Sequence, residues 1–590
     1  MPIPSQELQV LNLFGRGLGF PRQKVLLFLL CSVAAVFLGF VAFHPETLRV
    51  AIMRGGYPFI SAAFALFLFQ AWRVWNSEGG AAAVFSDRAL WLWVLGCSVL
   101  VWGADAFQHK VLLDEYALQA TGLSMHLDKQ VAAPIRGHWL QGSYLLMDCY
   151  LDKRPYLLAY LVSLPHDITG YREANIFILN GALVPVFLGL VSRIALLLSG
   201  RGSAFVATGL LASLPLLAQS GTGGGMEMLN LTVIALLFLA MLLWSARPDA
   251  TRLALMCGCC VLLSQCRYES LLYVVPVAVL ILAGWWRTRT VVVSTSLILT
   301  PLFLVPAVWH LRFVDSMPVL WELQAGQESR FSSEYLAANL AGCWRFFSNL
   351  GPTQPNSPLL SVLGFASGIL LAVASVPHLW RRRPVRPELF AFGLFTLSSV
   401  LSVSLFLFYY WARMDDPMAS RFSLPFHLVL ALLAGAAFSR LLRWRAWVGA
   451  VFWISWLGSL MVFFFPAGGA KLYSVTNMVS AELRWQLDYV EKLPKVPRLV
   501  MSYAPLPWVA NRYSAVGLRR AASRSRQVEF HVREGTFHEV LVIQLLTPTS
   551  IDGDFAVAEG SEVPADWQLE TMETKRLGGR LVRVSRVIFR

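Results

Sequence analysis

Apolar runs long enough to cross a lipid bilayer recur along most of this sequence, and they constrain the fold more than any other feature. A helix needs about 20 apolar residues to span the hydrocarbon core, and only helices and closed barrels satisfy their backbone hydrogen bonds there. We therefore predict a polytopic α-helical membrane protein. Its thirteen predicted spans are 24–43, 57–75, 88–107, 174–198, 203–219, 227–245, 252–266, 271–286, 290–309, 358–378, 388–411, 420–441 and 446–465.

The composition agrees with this prediction. Of the 590 residues, 56% are hydrophobic and 14% are charged, whereas soluble domains carry about 25% charged residues. A net charge of +14 would suggest nucleic-acid binding in a soluble protein. Here the basic residues lie in short turns between apolar runs, which is typical of the cytoplasmic side of a membrane and argues against a nucleic-acid partner. The Arg-rich, Lys-poor composition favours a bacterial inner (plasma) membrane.

The distribution of Lys and Arg predicts the orientation, with the N-terminus in the cytoplasm. The first apolar run is too long for a signal peptide and lacks a small-residue cleavage site, so we expect a retained anchor. Three long segments then lie outside, at 108–173, 310–357 and 466–590. The basic residues of the predicted inside segments are Arg16, Arg22, Lys24, Arg73, Arg88, Arg193, Arg201, Arg247, Arg252, Arg287, Arg289, Arg381, Arg382, Arg383, Arg386, Arg440, Arg443 and Arg445.

These segments divide the chain into three parts. Residues 1–87 form a cytoplasmic segment and two additional spans, 88–465 form a membrane core, and 466–590 form a small extracytoplasmic α/β domain. In the last part the strand-like runs are 498–502, 540–545 and 580–584, with a helix expected over 479–493. The loop 108–173 contains amphipathic pieces at 116–127 and 155–164, for which we expect short helices at the membrane surface.

Two places in the first outer loop could carry chemistry. Asp114 and Glu115 open an amphipathic segment next to the membrane. Acids at a helix start serve as caps, and a carboxylate beside a membrane cavity also serves as a general base, so spacing alone leaves both interpretations open. Lys153 and Arg154 precede Pro155 and an apolar helical run. They are either a snorkelling interfacial pair or a clamp for a lipid-linked phosphate.

The order of these motifs resembles the polyprenyl-phosphate-dependent glycosyltransferases of the GT-C superfamily, most closely the branch of the lipid A aminoarabinose transferases and protein O-mannosyltransferases. The resemblance covers roughly 88–465, by order and character more than by identity. The segments that carry it are Asp114-Glu115 after an early span, Lys153-Arg154-Pro155 before a loop helix, Gly170-Tyr171-Arg172-Glu173 before the next span, Cys266-Arg267-Tyr268-Glu269 in a later turn, and Arg421-Phe422-Ser423-Leu424-Pro425 at a late span opening.

The resemblance implies an inverting transfer of a sugar from a polyprenyl-phosphate-linked donor to a lipid, glycan or protein acceptor on the outer face of the membrane. It implies that Asp114 is the base, with Glu115 as the second choice. Lys153 and Arg154 are expected to hold the donor phosphate, and Arg267 and Arg421 to add charge, unless Arg267 only pairs with Glu269. The residues expected to line the substrate pocket are Tyr116, Tyr156 and Glu269.

The sequence also departs from the pattern of this superfamily. The usual Lys-Pro-Pro is Lys153-Arg154-Pro155, and the Trp-Trp-Asp-Tyr-Gly motif is absent. The second departure argues against en bloc glycan transfer to asparagine. A transporter or flippase of lipid-linked sugars and a non-catalytic partner in envelope glycan assembly are the alternative functions, although no inverted repeat is evident.

Other candidate sites are less convincing. Cys257, Cys259, Cys260 and Cys266 lie in a predicted span with no zinc-like spacing, and the sequence predicts no metal ligand and no cofactor, while leaving a divalent metal untested. The run 221–225 is glycine-rich but lacks the Lys-Ser/Thr ending of a phosphate loop, so a flexible turn is expected. Whether Cys149 and Cys343 form a disulfide stays open.

Overall fold

The computed structural model describes residues 21–110, 112–317, 327–380, 386–442, 447–469, 478–549, 555–577 and 580–589, together with residues 323 and 445. Several predicted features lie outside the described residues: Arg16 of the N-terminal segment, and Arg381, Arg382, Arg383 and Arg443 of two predicted inside turns.

Helices dominate the first four-fifths of the chain. Short 3₁₀ helices occur at Tyr268–Tyr273, Ser333–Tyr335 and Ala419–Ser423, and a π-helical stretch at Leu460–Phe464. The α-helices are α1 (Arg22–Phe40), α2 (Pro45–Ser77), α3 (Gly80–Val84), α4 (Arg88–Ala104), α5 (Leu112–Leu127), α6 (Leu157–Thr169), α7 (Ala174–Ser199), α8 (Arg201–Ala212), α9 (Pro215–Thr222), α10 (Glu227–Ala246), α11 (Ala250–Ser264), α12 (Val274–Thr288), α13 (Thr295–Asp315), α14 (Leu336–Ser348), α15 (Pro358–Trp380), α16 (Pro387–Phe406), α17 (Leu424–Leu442), α18 (Trp447–Ser459), α19 (Phe465–Gly469), α20 (Met478–Glu491), α21 (Pro505–Ala510), α22 (Leu518–Ala522) and α23 (Ser525–Arg533).

Each of the thirteen predicted spans coincides with apolar helix in the part of the chain that the structure describes. Nine helical segments are long and apolar enough to cross a membrane. The pair α8 and α9 is a tenth, bent by 70° at the break before Pro215, because proline cannot continue the hydrogen-bond ladder of α8. The remaining three are α4, α11 and the first part of α15, which are shorter. The protein is thus a polytopic helical membrane protein.

The helices α5 and α6 occupy the two amphipathic pieces of the first long loop. Their apolar faces are covered by protein, not by lipid. In α5, Tyr116 and Ala120 pack against Leu483 of α20 and Ala510 of α21, while Leu118 belongs to the core of the membrane helices. The helix α5 therefore joins the membrane part to the C-terminal part of the chain.

The C-terminal part forms a sheet that also includes a hairpin from the first loop, which the sequence analysis did not foresee. The strand order is β2-β1-β4-β3-β5-β8-β7, with β6 on β5. We call this sheet with α20–α23 the sheet domain. Its strands are β1 (Ala133–Leu140), β2 (Ser143–Tyr150), β3 (Arg498–Ser502), β4 (Ser514–Gly517), β5 (Glu539–Pro548), β6 (Phe555–Val557), β7 (Gln568–Leu577) and β8 (Arg580–Ile588).

Strand alternation gives the sheet two apolar faces. Val500 and Leu541 point to the core shared with Leu123 of α5 and Trp508 of α21, whereas Leu499 and Val542 point to the core under α22 and α23. The predicted strands at 498–502, 540–545 and 580–584 correspond to β3, β5 and β8, and the predicted helix over 479–493 corresponds to α20. The chain thus ends in a small α/β domain, as predicted.

Candidate functional site

A cavity of ≈ 500 Å³ opens where the membrane helices meet α5 and the loop before α6. It lies at one end of the helix bundle. The start of α10 and the 3₁₀ turns before α12 and α17 form its walls. The charged residues that line it are Asp114, Lys153, Arg154, Arg267, Glu269, Asp315, Arg330 and Arg421. The structure therefore brings together six of the residues singled out from sequence: Asp114, Lys153, Arg154, Arg267, Glu269 and Arg421.

Asp114 lies in the first turn of α5, and two arginines hold its carboxylate from far along the chain. Its Oδ1 accepts from Nε of Arg154 at 2.9 Å, and its Oδ2 accepts from Nη2 of Arg421 at 2.6 Å. Its side chain remains 21% exposed toward the cavity. Burial by itself would raise the pKa of Asp114, but the two guanidinium groups overcome that effect and hold the pKa well below its usual range. Asp114 is thus an anion at neutral pH.

Glu227, at the first position of α10, is the central carboxylate of the same cluster, and the sequence analysis missed it. Its Oε1 lies 2.9 Å from Nη1 of Arg267 and 3.0 Å from Nη1 of Arg421. Arg267 also pairs with Glu269, so the local ion pair weighed from sequence exists beside the longer-range one. The sequence signal for Glu227 is an acid inside a predicted span. An ionisable residue at membrane depth is energetically costly, so its presence there indicates a role.

Contacts to backbone carbonyl oxygens fix the segment that contains Lys153 and Arg154. Nε2 of His310 lies 2.7 Å from the carbonyl oxygen of Asp152, and the hydroxyl of Tyr268 donates to the carbonyl oxygen of Lys153. The guanidinium of Arg154 also binds both carboxylate oxygens of Asp152, at 2.8 and 2.9 Å. His310, Tyr268 and the Asp152 carboxylate thus fix two adjacent cations at the cavity wall before the chain enters α6.

The glycine-rich run 221–225 is a packed part of this site. The amide of Asn180 donates to the carbonyl oxygens of Gly223 and Gly225 at 2.8 and 2.9 Å. A Cβ atom at Gly225 would lie 2.1 Å from Oε2 of Glu227, so only glycine leaves room for that carboxylate. The turn expected from sequence is present, and its glycines permit close packing.

Three residues selected from sequence lie off the cavity. Glu115 is buried, and its Oε2 accepts from the backbone N–H of Lys110 at 2.7 Å, which is the capping role. The ring of Tyr116 stacks on His109 with centroids 4.0 Å apart. Tyr156 is buried in the helix core, 6.0 Å from the His310 ring.

The electrostatic character of the cavity is positive. Its described lining includes five cations and three carboxylates. Nε of Arg421 is buried without a hydrogen-bond partner among the described residues, and the contact of its Nη1 with Glu227 is an ion pair that lacks hydrogen-bond alignment. Buried donors that lack an acceptor are uncommon in folded proteins, so an unpartnered Nε beside a cavity calls for an explanation.

The opposite flank of the cavity is apolar and reaches the lipid-facing surface. Leu272, Val275 and Leu405 belong to this flank. Val275 is 64% exposed on the outside of the helix bundle. One wall of the cavity therefore suits an anion, and the other wall suits an alkyl or isoprenoid chain. A mere packing defect rarely combines two such walls.

The described residues contain no cluster of three or more His, Cys, Asp or Glu side chains suited to a metal ion. Cys257, Cys259, Cys260 and Cys266 are buried within or just after α11. Cys149 and Cys343 are both free thiols, so the pairing left open by the sequence does not form in this structure.

Comparison with known proteins gives a likeness of structure only. No protein-family profile matches the sequence, and no curated protein matches it. Among solved structures, ArnT from Cupriavidus metallidurans bound to undecaprenyl phosphate is similar, with 14% identity, 84% of this chain and 97% of that chain covered, and a TM-score of 0.48. The Archaeoglobus fulgidus oligosaccharyltransferase with a tethered acceptor peptide has 12% identity, 82% and 75% coverage, and a TM-score of 0.43.

A third similar structure is the arabinosyltransferase EmbB from Mycobacterium smegmatis, with 15% identity, 60% of this chain and 30% of that chain covered, and a TM-score of 0.37. These are glycosyltransferases of the GT-C superfamily, the superfamily that the sequence motifs resemble. Likeness of this extent carries no conclusion about the reaction, which has to be inferred from the residues of the cavity.

Proposed function

We propose that this protein is an inverting glycosyltransferase that moves a sugar from a polyprenyl-phosphate-linked donor to an acceptor at the extracytoplasmic face of the membrane. One observation carries the proposal. A single cavity at the end of the helix bundle combines an ionised carboxylate, an excess of cations and an apolar flank open to lipid. These are the three environments that such a donor and its acceptor require.

The two walls of the cavity support a polyprenyl-phosphate-linked donor. An isoprenoid chain would lie along Leu272, Val275 and Leu405, and its phosphate would face Lys153 and Arg421. Arginine binds phosphate through a planar fork and lysine through a point charge, so the pair suits a phosphodiester. Arg421 lines the cavity, and its Nε has no hydrogen-bond partner among the described residues.

Asp114 would orient the nucleophile. A hydroxyl or amine of the acceptor attacks the anomeric carbon, and the bond from that carbon to the phosphate oxygen breaks. The polyprenyl phosphate leaves with the bonding electrons, and the proton of the nucleophile passes to Asp114 and then to water. Attack from the face opposite the leaving group inverts the anomeric centre. Positioning provides most of the acceleration, because the phosphate is already a good leaving group.

The low pKa of Asp114 affects its ability to act as a base. A carboxylate of low pKa is a weak base, so the two arginines restrain it while the cavity is empty. A donor phosphate competes for Arg154 and Arg421, and this weakens their pairing with Asp114. Its pKa would then rise toward the ordinary range. Asp114 would thus become a better base only when a donor is bound.

The orientation of the protein also belongs to this proposal. The arginines of the predicted inside turns meet at the end of the bundle away from the cavity, where Arg201 pairs with Asp87, Arg252 with Glu78, and Arg287 with the carbonyl oxygen of Ser245. Positively charged turns stay in the cytoplasm, so the cavity would face outward. Alkaline phosphatase fused after the last residue should be active in cells, and an inactive fusion would reverse the orientation.

The direct test uses purified protein in lipid nanodiscs with a panel of polyprenyl-phosphate sugars and candidate acceptors, and mass spectrometry of the products. Asp114→Asn should reduce transfer by about 100-fold or more, as loss of a general base does. Asp128→Asn, just beyond the other end of α5, is the control and should retain full transfer. Transfer that survives in Asp114→Asn would contradict the role of Asp114, and transport without transfer would favour a flippase.

A further inference from the structure

A second cavity lies in the sheet domain, on the side of the sheet away from α5, and it has a volume of ≈ 210 Å³. We call it the arginine cleft. One wall is the outer face of the β1–β2 hairpin, and the other is formed by α22 and α23. The polar residues that line it are Arg136, His138, Arg520, Arg524, Gln527, His531 and Thr536.

The fold creates this cleft because the hairpin extends the sheet beyond its helices. In the antiparallel register, Arg136 lies opposite Met147 and His138 opposite Leu145. Strand alternation places these four side chains on one face. On the other face the hydroxyl of Tyr144 reaches the carbonyl oxygen of Tyr513 at 2.8 Å. The helices α22 and α23 cover β3 and β4 but stop beside the hairpin, which leaves a cleft between them.

The arginine cleft carries more positive charge than its ion pairs neutralise. Asp148 is the carboxylate behind it, 2.8 Å from Nη2 of Arg520 and 3.4 Å from Nη1 of Arg136. No carboxylate lines the cleft itself among the described residues. Arg524 is exposed at its rim and has no ion pair within the described part of the chain. Two guanidinium groups therefore share one carboxylate, and the third, of Arg524, is not neutralised within the described part of the chain.

Two buried nitrogen atoms in the cleft have no hydrogen-bond partner among the described residues. They are Nε of Arg136 and Nδ1 of His138. Burial and the neighbouring Arg136 lower the pKa of His138 to about 4, so its ring is neutral at pH 7 and leaves the positive charge to the arginines. An acceptor from outside the protein would satisfy the guanidinium nitrogen, because nearly all buried polar groups find a partner.

The rest of the lining is apolar and partly exposed. Leu140 and Leu145 are 51% and 41% exposed, and they offer an apolar surface suited to the C–H face of a sugar ring. Pockets for drug-sized ligands begin at about 300 Å³, so this cleft fits a smaller molecule with one ring. We propose that the arginine cleft binds an anionic saccharide, a single sugar unit bearing a carboxylate or a phosphate.

This site is independent of the membrane cavity and of the proposed transfer, since it opens on the opposite face of the sheet. The experiment is isothermal titration of the full chain in phosphatidylcholine nanodiscs with glucuronate, glucose 6-phosphate and neutral glucose. We expect saturable binding of an anionic sugar below about 10 mM and no binding of glucose. The two anions separate a carboxylate site from a phosphate site, and binding of either supports the proposal.

Two variants test the assignment. Arg524→Gln removes an exposed charge at the rim, and Arg136→Met removes the buried guanidinium, and each should weaken binding by about tenfold. Arg526→Gln, two residues after Arg524, is the matched control, because Arg526 is exposed outside the cleft, and it should bind as the parent does. Absence of saturable binding, equal binding of glucose, or unchanged affinity in Arg524→Gln would overturn the proposal.

Discussion

The half-buried Asp114 and the buried Glu482 are carboxylates on two helices that pack together, α5 and α20, yet their environments are opposite. Two guanidinium groups hold Asp114, and its pKa lies well below the ordinary range although burial acts the other way. Glu482 accepts only from the amide of Gln486, at 3.2 Å, and its Oε2 has no partner among the described residues. Burial raises the pKa of Glu482 to about 7.

The difference between the two sites shows how the surroundings of a carboxylate set its charge. Burial penalises the ionised form at both positions, and only the cations that the fold brings to Asp114 reverse the sign. The membrane cavity therefore keeps Asp114 ionised, as the proposed binding of a nucleophile requires. The interior of the sheet domain tends to neutralise its carboxylate, as packing requires. Variants that remove an ion-pair partner or a charge should therefore have different effects at the two sites.

The largest expected effect is from Glu227→Gln, which removes the carboxylate shared by Arg267 and Arg421. Breaking a buried ion pair costs about 3–5 kcal/mol, because a charge is left without a partner. We expect a matching loss of stability and loss of transfer by at least about 100-fold. Thermal unfolding and the transfer assay measure the two effects on the same protein sample.

The control for this change is Glu46→Gln. Glu46 pairs with Arg49 on the surface of α2, and its side chain is 63% exposed. Exposed pairs contribute little, so its unfolding temperature and transfer should match those of the parent. Equal behaviour of the two variants would show that the charge cluster around Glu227 has no special stability.

A smaller effect is expected from Arg421→Lys, which keeps the charge but loses the fork. A lysine cannot contact Asp114 and Glu227 together, and it has no Nε donor for a phosphate. Transfer should fall by about 100-fold, or about 2.7 kcal/mol, while the fold is retained. Arg413→Lys, at an exposed pair with Asp415, should have no effect. Full transfer in Arg421→Lys would exclude the proposed phosphate contact.

Glu482→Gln tests the other side of the comparison through pH. The folded-state pKa of about 7 lies above the ordinary value of 4.5, so the folded protein binds the proton more tightly. Stability from this group is complete below about pH 4.5 and is lost as the pH rises toward 7. The variant should therefore be more stable than the parent by about 3 kcal/mol at pH 8 and equal to it near pH 4.

Denaturant unfolding at the two pH values measures this difference. Glu529→Gln, on the sheet-domain surface, is the control and should change neither value. A Glu482→Gln protein that is less stable at pH 8 would show that the ionised Glu482 is stabilised by a cation in the folded protein, contrary to this expectation.

The smallest effect is expected from Gly225→Ala. The added Cβ meets the end of a flexible side chain, Oε2 of Glu227 at 2.1 Å, so the carboxylate shifts and the backbone need not. Transfer should fall by about tenfold with a change in stability below about 1 kcal/mol. Gly96→Ala in α4, where a Cβ meets nothing within 4 Å, should leave transfer unchanged. A large loss of stability in Gly225→Ala would indicate that the turn, and not the carboxylate, has moved.

Several features of the site could be predicted because their signals are local. Asp114 and the Lys153-Arg154 pair stand out as charges beside apolar runs, and Arg267 and Arg421 as cations at span openings. Such charges are rare at membrane depth, so position alone singles them out. Glu227 carries the same signal, but it opens a predicted span, where an acid is also a common helix cap, so its position alone does not single it out.

The roles of neighbouring residues were harder to separate. Asp114 and Glu115 are adjacent and equally acidic, but the helical turn sends one to the cavity and the other back to the N–H of Lys110. Tyr116 and Tyr156 look suitable for a pocket and are instead core residues. No local pattern distinguishes these outcomes, because each depends on which distant element fills the space opposite the side chain.

The sequence by itself determined the thirteen spans, the α/β character of the C-terminal part and most of the cations of the cavity, because hydropathy and charge act over short windows. Only the tertiary structure decided that the hairpin β1–β2 joins a sheet more than 340 residues away, in which Gly137 pairs with Ala515. It also decided which carboxylates are paired. Strand pairing and ion pairing depend on distances in space, and sequence separation does not limit either of them.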